Sequence, residues 1–339
     1  MSELKELFGE YMFADVQDYK NLSIVPIKTE KKSDIEYILL KDALDKNQID
    51  IIETSIVNKL TIRKNMPENL LVLKGDYVVG GKQNRVVSVN GLIEKKEIDI
   101  PVHCIQHGRW GYGNGYDGDI RIPRIPRMPR RDPNSPWNRP GYPDEINIEI
   151  ERPWHGVDYD EDNTNFYIGK SFAACSLRND ISKDSAGGSG QSKTWNKISS
   201  ISNLVGAHSF TGDYDEVINA KKKDIDEYMK NFKYIDGQNG IMVKIGDGIF
   251  TDYFDKPETF KKQYERLMSS YIIDSLAFKE KKSEKITAKD GAKFMQDLLS
   301  TKAEVSKSLD LGEDYELRNG INGSALVYNS TVIYLGAKK

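Results

Sequence analysis

Short strand-like runs stand at both ends of this chain, while helical periodicity gathers in its second half. That distribution excludes regular strand–helix alternation and with it a Rossmann sheet; it predicts an α+β fold with a mixed or antiparallel sheet core and helices clustered C-terminally. After an amphipathic first helix, Leu22–Ile27 (LSIVPI) and Ile35–Leu40 (IEYILL) read as paired strands around a charged turn. KDALDKNQ reads as a short helix, and Ile49–Ile52 and Lys59–Arg63 as strands. The densest strand signal is NLLVLKGDYVVGGKQNRVVSVNG, where apolar runs are cut by Gly75-Asp76 and Gly80-Gly81. KKEIDIPVHCI makes one more strand.

In the second half AGGSG (186–190) reads as a flexible turn. Trp195, Ile198, Ile201 and Val205 have helical spacing. YDEVINAKKKDIDEYMKNF predicts a helix capped by Thr211 or Asp213, and GIMVKIGDGIF a strand with a glycine-rich end. Pro257 suits a first helical position, with Phe260, Tyr264, Leu267 and Tyr271 following as core and Asp255 as the expected cap. Helix Ala288–Leu299 and three strands close the chain, the last two forming a hairpin about Asn329-Ser330. The whole, 1–339, reads as one domain with an irregular insertion at 111–165.

Charge and cysteine content narrow the function classes. Lys+Arg number 49 against 52 Asp+Glu, a formal net charge of −3, so no global field draws nucleic acid or an anionic membrane. A nucleic-acid partner is therefore disfavoured. Two cysteines, Cys104 and Cys175, make a disulfide framework improbable and a reducing cytoplasm the expected setting. Nowhere do about 18 apolar residues run without a charge, so neither a membrane span nor an export signal is expected.

Within 111–165 the stretch IRIPRIPRMPRR repeats every three residues, placing Arg121, Arg124, Arg127 and Arg130 on one edge of a polyproline II helix beside Arg131. PRMPRR also fits the PxxPxR pattern of SH3-like recognition. The segment reads as a protein-docking surface, Arg121–Arg131, as a contact for nucleic-acid backbone, or as an arm laid over the chain itself with DYDEDN (158–163) as counter-charge. DYDEDN lacks the glycine and the terminal glutamate of an EF-hand loop.

Two polar turns are the candidate chemistry. Gly80–Arg85 (GGKQNR) puts two glycines and four polar side chains after a buried-looking strand. Its backbone is suited to cradle an anion, with Gly81, Lys82, Gln83, Asn84 and Arg85 as contacts; a plain solvated glycine turn is the alternative. It lacks Walker spacing. In HCIQHGRW, His103 and Cys104 point to opposite strand faces, which argues against a thiol–imidazole pair. Zinc ligand spacing is absent, so neither metal nor cofactor is expected. Gly108, Arg109 and Trp110 fit a ligand wall, with guanidinium for an oxyanion and indole for a ring; an ordinary buried tryptophan covered by arginine is the alternative. Asp247, Asp252 and Asp255 are three carboxylates in nine positions, able to hold magnesium or serve as acid and base.

LKGDYVVGGKQNR, IPVHCIQHGRW, the Gln191…Trp195 helix start, GIFTDYFDKPETF with SSYIIDSL, and NGSALVYNSTVIYL stand in the order of one family. On these segments the chain resembles the ADP-ribosylglycohydrolase- and rhodanese-phosphatase-associated protein domain family. The resemblance implies a role near NAD or ADP-ribose metabolism, or in prokaryotic conflict systems, and a small phosphorylated, nucleotide-like ligand. It adds Gln191 and Trp195 to the candidate ligand-binding set, and His107, which stands where the family commonly carries an acidic residue before Gly-Arg-Trp. Whether the domain turns its ligand over, and by which residues, the resemblance leaves open; the rival is a non-enzymatic interaction module working through the Arg/Pro arm.

Overall fold

The computed structural model describes residues 2–54, 56–109, 166–178, 180–181, 188–278 and 285–339. Trp110, the Arg/Pro stretch and DYDEDN lie outside these residues, and so do the readings attached to them.

The largest sheet is antiparallel. Its strands run in the order Ser2–Glu3, Lys302–Lys307, Glu313–Leu317, Asn322–Tyr328, Thr331–Lys338, Gly248–Phe254, Gly240–Ile245, Leu22–Thr29 and Tyr11–Phe13, with Gln17–Tyr19 also on Leu22–Thr29. Side chains alternate faces along a strand, so the unbroken apolar run LSIVPI demands cover on both sides. It has it: Leu22 and Ile24 join one core, Val25 and Ile27 another. Helices Gly188–Val205, Tyr214–Ala220, Lys222–Met229 and Pro257–Ala277 pack the first face; Lys5–Phe8 and Ala288–Ser300 pack the second. Pro26 cannot donate to a ladder, and the outer partner is split there, Tyr11–Phe13 pairing beyond it and Gln17–Tyr19 before it.

A second sheet orders Tyr167–Ile168, Tyr77–Val79, Arg85–Val87, Glu97–Cys104, Lys59–Lys64 and Ile49–Glu53. A third joins Gly91–Ile93, Asn69–Val72 and Tyr37–Leu39, the last pair parallel. A third core, with Leu60, Ile62, Leu70, Val72, Val87 and Val102, serves these two sheets. The fold is α+β, with antiparallel sheets and the helices mainly C-terminal. Among the described residues no helix is long and apolar enough to cross a membrane.

Several local expectations are corrected. Leu22–Thr29 pairs with Gly240–Ile245, and Tyr37–Leu39 with Asn69–Val72, so the two early runs are not partners. The first helix shrinks to Lys5–Phe8, ended at Gly9 (φ 80°), and its continuation is strand. GIMVKIGDGIF is a two-stranded hairpin turning at Gly246 (φ 57°). YDEVINAKKKDIDEYM breaks into two helices at Lys221, and Gly188–Gly190 already belong to a helix. Asn329 and Ser330 have φ 46° and 56°, the paired left-handed residues of a tight hairpin turn. Pro257 opens its helix, but Lys256 is the cap residue, and Asp255 instead accepts from Ser33 and Tyr37.

Asp252 has a structural partner set. Buried Arg178, in the short helix Cys175–Arg178, forks onto its two oxygens at 2.9 and 3.0 Å, and the Tyr271 and Tyr334 hydroxyls donate to the same carboxylate. Gly75 lets the arginine pass: at φ 98° it holds a conformation that suits glycine, and a Cβ there would lie 2.0 Å from Arg178 Cδ. Removing one member of a buried pair leaves an uncompensated charge. Asp252→Ala is expected to cost about 3–5 kcal/mol in urea unfolding; a loss below about 1 kcal/mol would mean that the pair does not brace the sheet.

Candidate functional site

Strand Arg85–Val87 pairs with Glu97–Cys104, setting Arg85 opposite Cys104, so the turn before one and the loop after the other emerge at the same end of the sheet. Arg109 ties them together, donating to the Gly81 carbonyl at 3.1 Å, Asn84 Oδ1 at 3.0 Å and Gln106 Oε1 at 2.6 Å. The two polar turns therefore form one corner.

Arg85 lies beneath this corner. Its side chain is buried, and its guanidinium forks onto Glu53 at 2.8 and 2.9 Å while Nε donates to the Val57 carbonyl. Glu53 also accepts from the Lys82 N–H at 3.0 Å. Gly81, at φ 61°, is where the chain passes this carboxylate; a Cβ would meet Glu53 Oε2 and the Phe166 ring at 2.8 Å. The placement expected from sequence, Arg85 facing a ligand anion, is replaced by an internal ion pair supporting the turn. Lys82 is partly exposed at its crest, and Gln83 and Asn84 are buried.

The other wall is built against the start of helix Tyr214–Ala220. Gly108 N–H donates to the Thr211 carbonyl, Tyr214 N–H to the Ile105 carbonyl, and a Cβ on Gly108 would sit 3.0 Å from Thr211 Cα. Gln191 brackets Cys104, accepting from its N–H and donating to its carbonyl, both at 2.8 Å. Exposed His107 meets the half-buried Trp195 edge to face, ring centroids 4.2 Å apart. His103 shares a hydrogen bond with Thr194, whereas the Cys104 thiol donates to the Gln106 carbonyl and burial pushes its pKa up. The two form no nucleophile pair, in keeping with their opposite faces.

Asp213 is the site's unexpected member. Its Oδ1 accepts from Asp215 N–H and caps the helix, as its sequence position suggests, while Oδ2 accepts from Asn84 Nδ2 at 2.9 Å. Burial raises its pKa to about 7, outweighing those two hydrogen bonds. A carboxyl near half-protonation at neutral pH is suited to proton transfer. Glu53 and Gln106 were likewise not among the sequence candidates. Among the described residues no group of three or more His, Cys, Asp or Glu is placed to hold a metal ion.

The pattern that defines ARPP-1, the ARG and Rhodanese-Phosphatase-superfamily-associated Protein domain, matches residues 10–121 and 159–337. The chain belongs to this family. The ARPP-1 match takes in both polar turns and passes over 122–158, where most of the Arg/Pro stretch stands. No curated protein and no solved structure matches the chain.

The Asp213 environment fixes a pH dependence. With the folded pKa raised, the folded chain binds more protons than the unfolded chain between about pH 4 and 7, so stability falls as pH rises through that window. Urea unfolding at pH 5 and pH 8 is expected to show a smaller loss for Asp213→Asn than for wild type, by about 1 kcal/mol or more. Equal losses would remove Asp213 from that role.

Proposed function

We propose that the corner formed by Gly81–Asn84, His107–Arg109, Gln191 and Trp195 binds a phosphorylated, nucleotide-like ligand of the ADP-ribose or NAD-derived kind, in a cytoplasmic setting. The observation that carries this reading is Arg109, which bonds both polar turns and so fixes a planar guanidinium where they meet. The positive charge held there suits an anionic phosphate, and Lys82 on the adjoining crest adds a second cation. The His107–Trp195 pair offers aromatic surface for a base. The name of the ARPP-1 family, which couples it to ADP-ribosylglycohydrolase and rhodanese-phosphatase systems, points the same way. Arg85 acts through position, holding the turn rather than touching the ligand. For any hydrolytic or lyase-like turnover here, Asp213 is the proton carrier.

Calorimetry with ADP-ribose, NAD, AMP and cyclic nucleotides tests the proposal. Saturable heat is expected for at least one of them, with affinity falling at least about tenfold in Arg109→Ala, the scale of a lost charge at a phosphate. Negligible heat for wild type, or affinity unchanged in Arg109→Ala, would reject it.

A second reading rests on a separate observation: the family match omits 122–158, so the segment through Arg131 is an addition to the shared pattern. We propose Arg121–Arg131 as a protein-docking surface. Deleting 119–141 is expected to leave the melting temperature and nucleotide heats unchanged while abolishing binding to an SH3-domain panel; no binding by the intact chain would discard this reading.

A further inference from the structure

Away from the corner, a cavity of about 10 Å³, room for roughly one water, is bordered by Lys74, Cys175, Arg178, Asp252, Tyr271 and Tyr334. Its polar groups are mostly committed. Asp252 takes the Arg178 fork and both tyrosine hydroxyls, and the Cys175 thiol donates to Asp274 at 2.8 Å. Lys74 differs: it is half-buried, and among the described residues its amine has neither an ion pair nor a hydrogen bond.

Its backbone is pinned in place. Lys74 N–H donates to Asn90 Oδ1 at 2.9 Å, Asn90 Nδ2 donates to Ser324 Oγ at 3.0 Å, and Ser324 belongs to the same cavity wall. The charges facing the amine come from three directions. Arg178 repels its protonated form, while Asp314 and Glu316 on strand Glu313–Leu317, together with Asp180, favour it. Burial outweighs those carboxylates and pushes the amine down to about 8. The same three carboxylates make the surroundings of the amine unfavourable for a free anion, whereas a neutral carbonyl meets no such barrier. Burial also pushes the competing Cys175 thiol well up, leaving it protonated.

We propose that Lys74 is a nucleophilic amine that captures small aldehydes as a Schiff base at this cavity. The nitrogen lone pair of the neutral amine attacks the carbonyl carbon and the C=O π pair moves to oxygen, which takes a proton from nitrogen to give a carbinolamine. Loss of that hydroxyl with the remaining N–H proton, as water, leaves the imine, so that amine plus aldehyde equals imine plus water. A cavity with room for about one water favours small aldehydes over bulky ones.

The test uses the intact chain with glycolaldehyde and sodium cyanoborohydride, each lysine's reductive alkylation being followed by peptide mass spectrometry from pH 6 to 10. An amine titrating near 8 is ~20% neutral at pH 7.4 against ~0.1% for an ordinary lysine. Lower basicity weakens the nucleophile and offsets part of that gain. Lys74 is expected to react at least about tenfold faster than exposed Lys193 and Lys289 at pH 7.4, with a rate that levels off above about pH 8. A rate at or below those of Lys193 and Lys289, or one still climbing at pH 10, would overturn the proposal. Neither result bears on nucleotide binding at the corner.

Discussion

A guanidinium–carboxylate pair shut away from water, Arg85 with Glu53, is the contact on which the candidate site depends. Burying two charges is costly, and the cost is offset only when geometry is good and the remaining donors and acceptors are used. Here the fork is bidentate, Nε reaches the Val57 carbonyl, and Glu53 takes the Lys82 N–H. The pair thereby joins the end of strand Ile49–Glu53 to the turn between Tyr77–Val79 and Arg85–Val87. That turn in turn presents the Gly81 carbonyl and Asn84 Oδ1 to Arg109. The surface arrangement is a consequence of the buried one.

Two carboxylates show how neighbourhood decides a role. Asp252 accepts four hydrogen bonds, two of them from one guanidinium and two from tyrosine hydroxyls, and braces the large sheet against helices Cys175–Arg178 and Pro257–Ala277. Asp213 is also buried, yet receives one amide and one backbone donor, and its proton affinity rises. The first is fixed in structure; the second keeps the capacity to exchange a proton where the polar turns meet.

What local sequence conveys is what local physics determines. The left-handed pair Asn329-Ser330, proline at the head of Pro257–Ala277 and the 3.6-residue spacing of Ile198 and Ile201 were readable because each acts within a few residues. Strand partners were not: Leu22–Thr29 waits for Gly240–Ile245, and nothing near Leu22 encodes that distance. Asp255 follows the same logic. A capping rule favoured it at the helix start, but Ser33 and Tyr37, 222 and 218 positions away, claim its carboxylate. At the corner, Gly81, Asn84 and Arg109 were legible from residue type and glycine placement. Glu53 and Gln106 were not, since a glutamate ending a strand looks solvated until its arginine is found, and Asp213 read only as a cap.

The central claim is energetic coupling between Glu53 and Arg85, and a double-mutant cycle measures it most directly. Unfolding free energies of wild type, Glu53→Gln, Arg85→Met and the double variant are expected to give a coupling of about 2 kcal/mol or more, the double variant losing less than the two single losses added together. Additivity within about 0.5 kcal/mol would contradict the account.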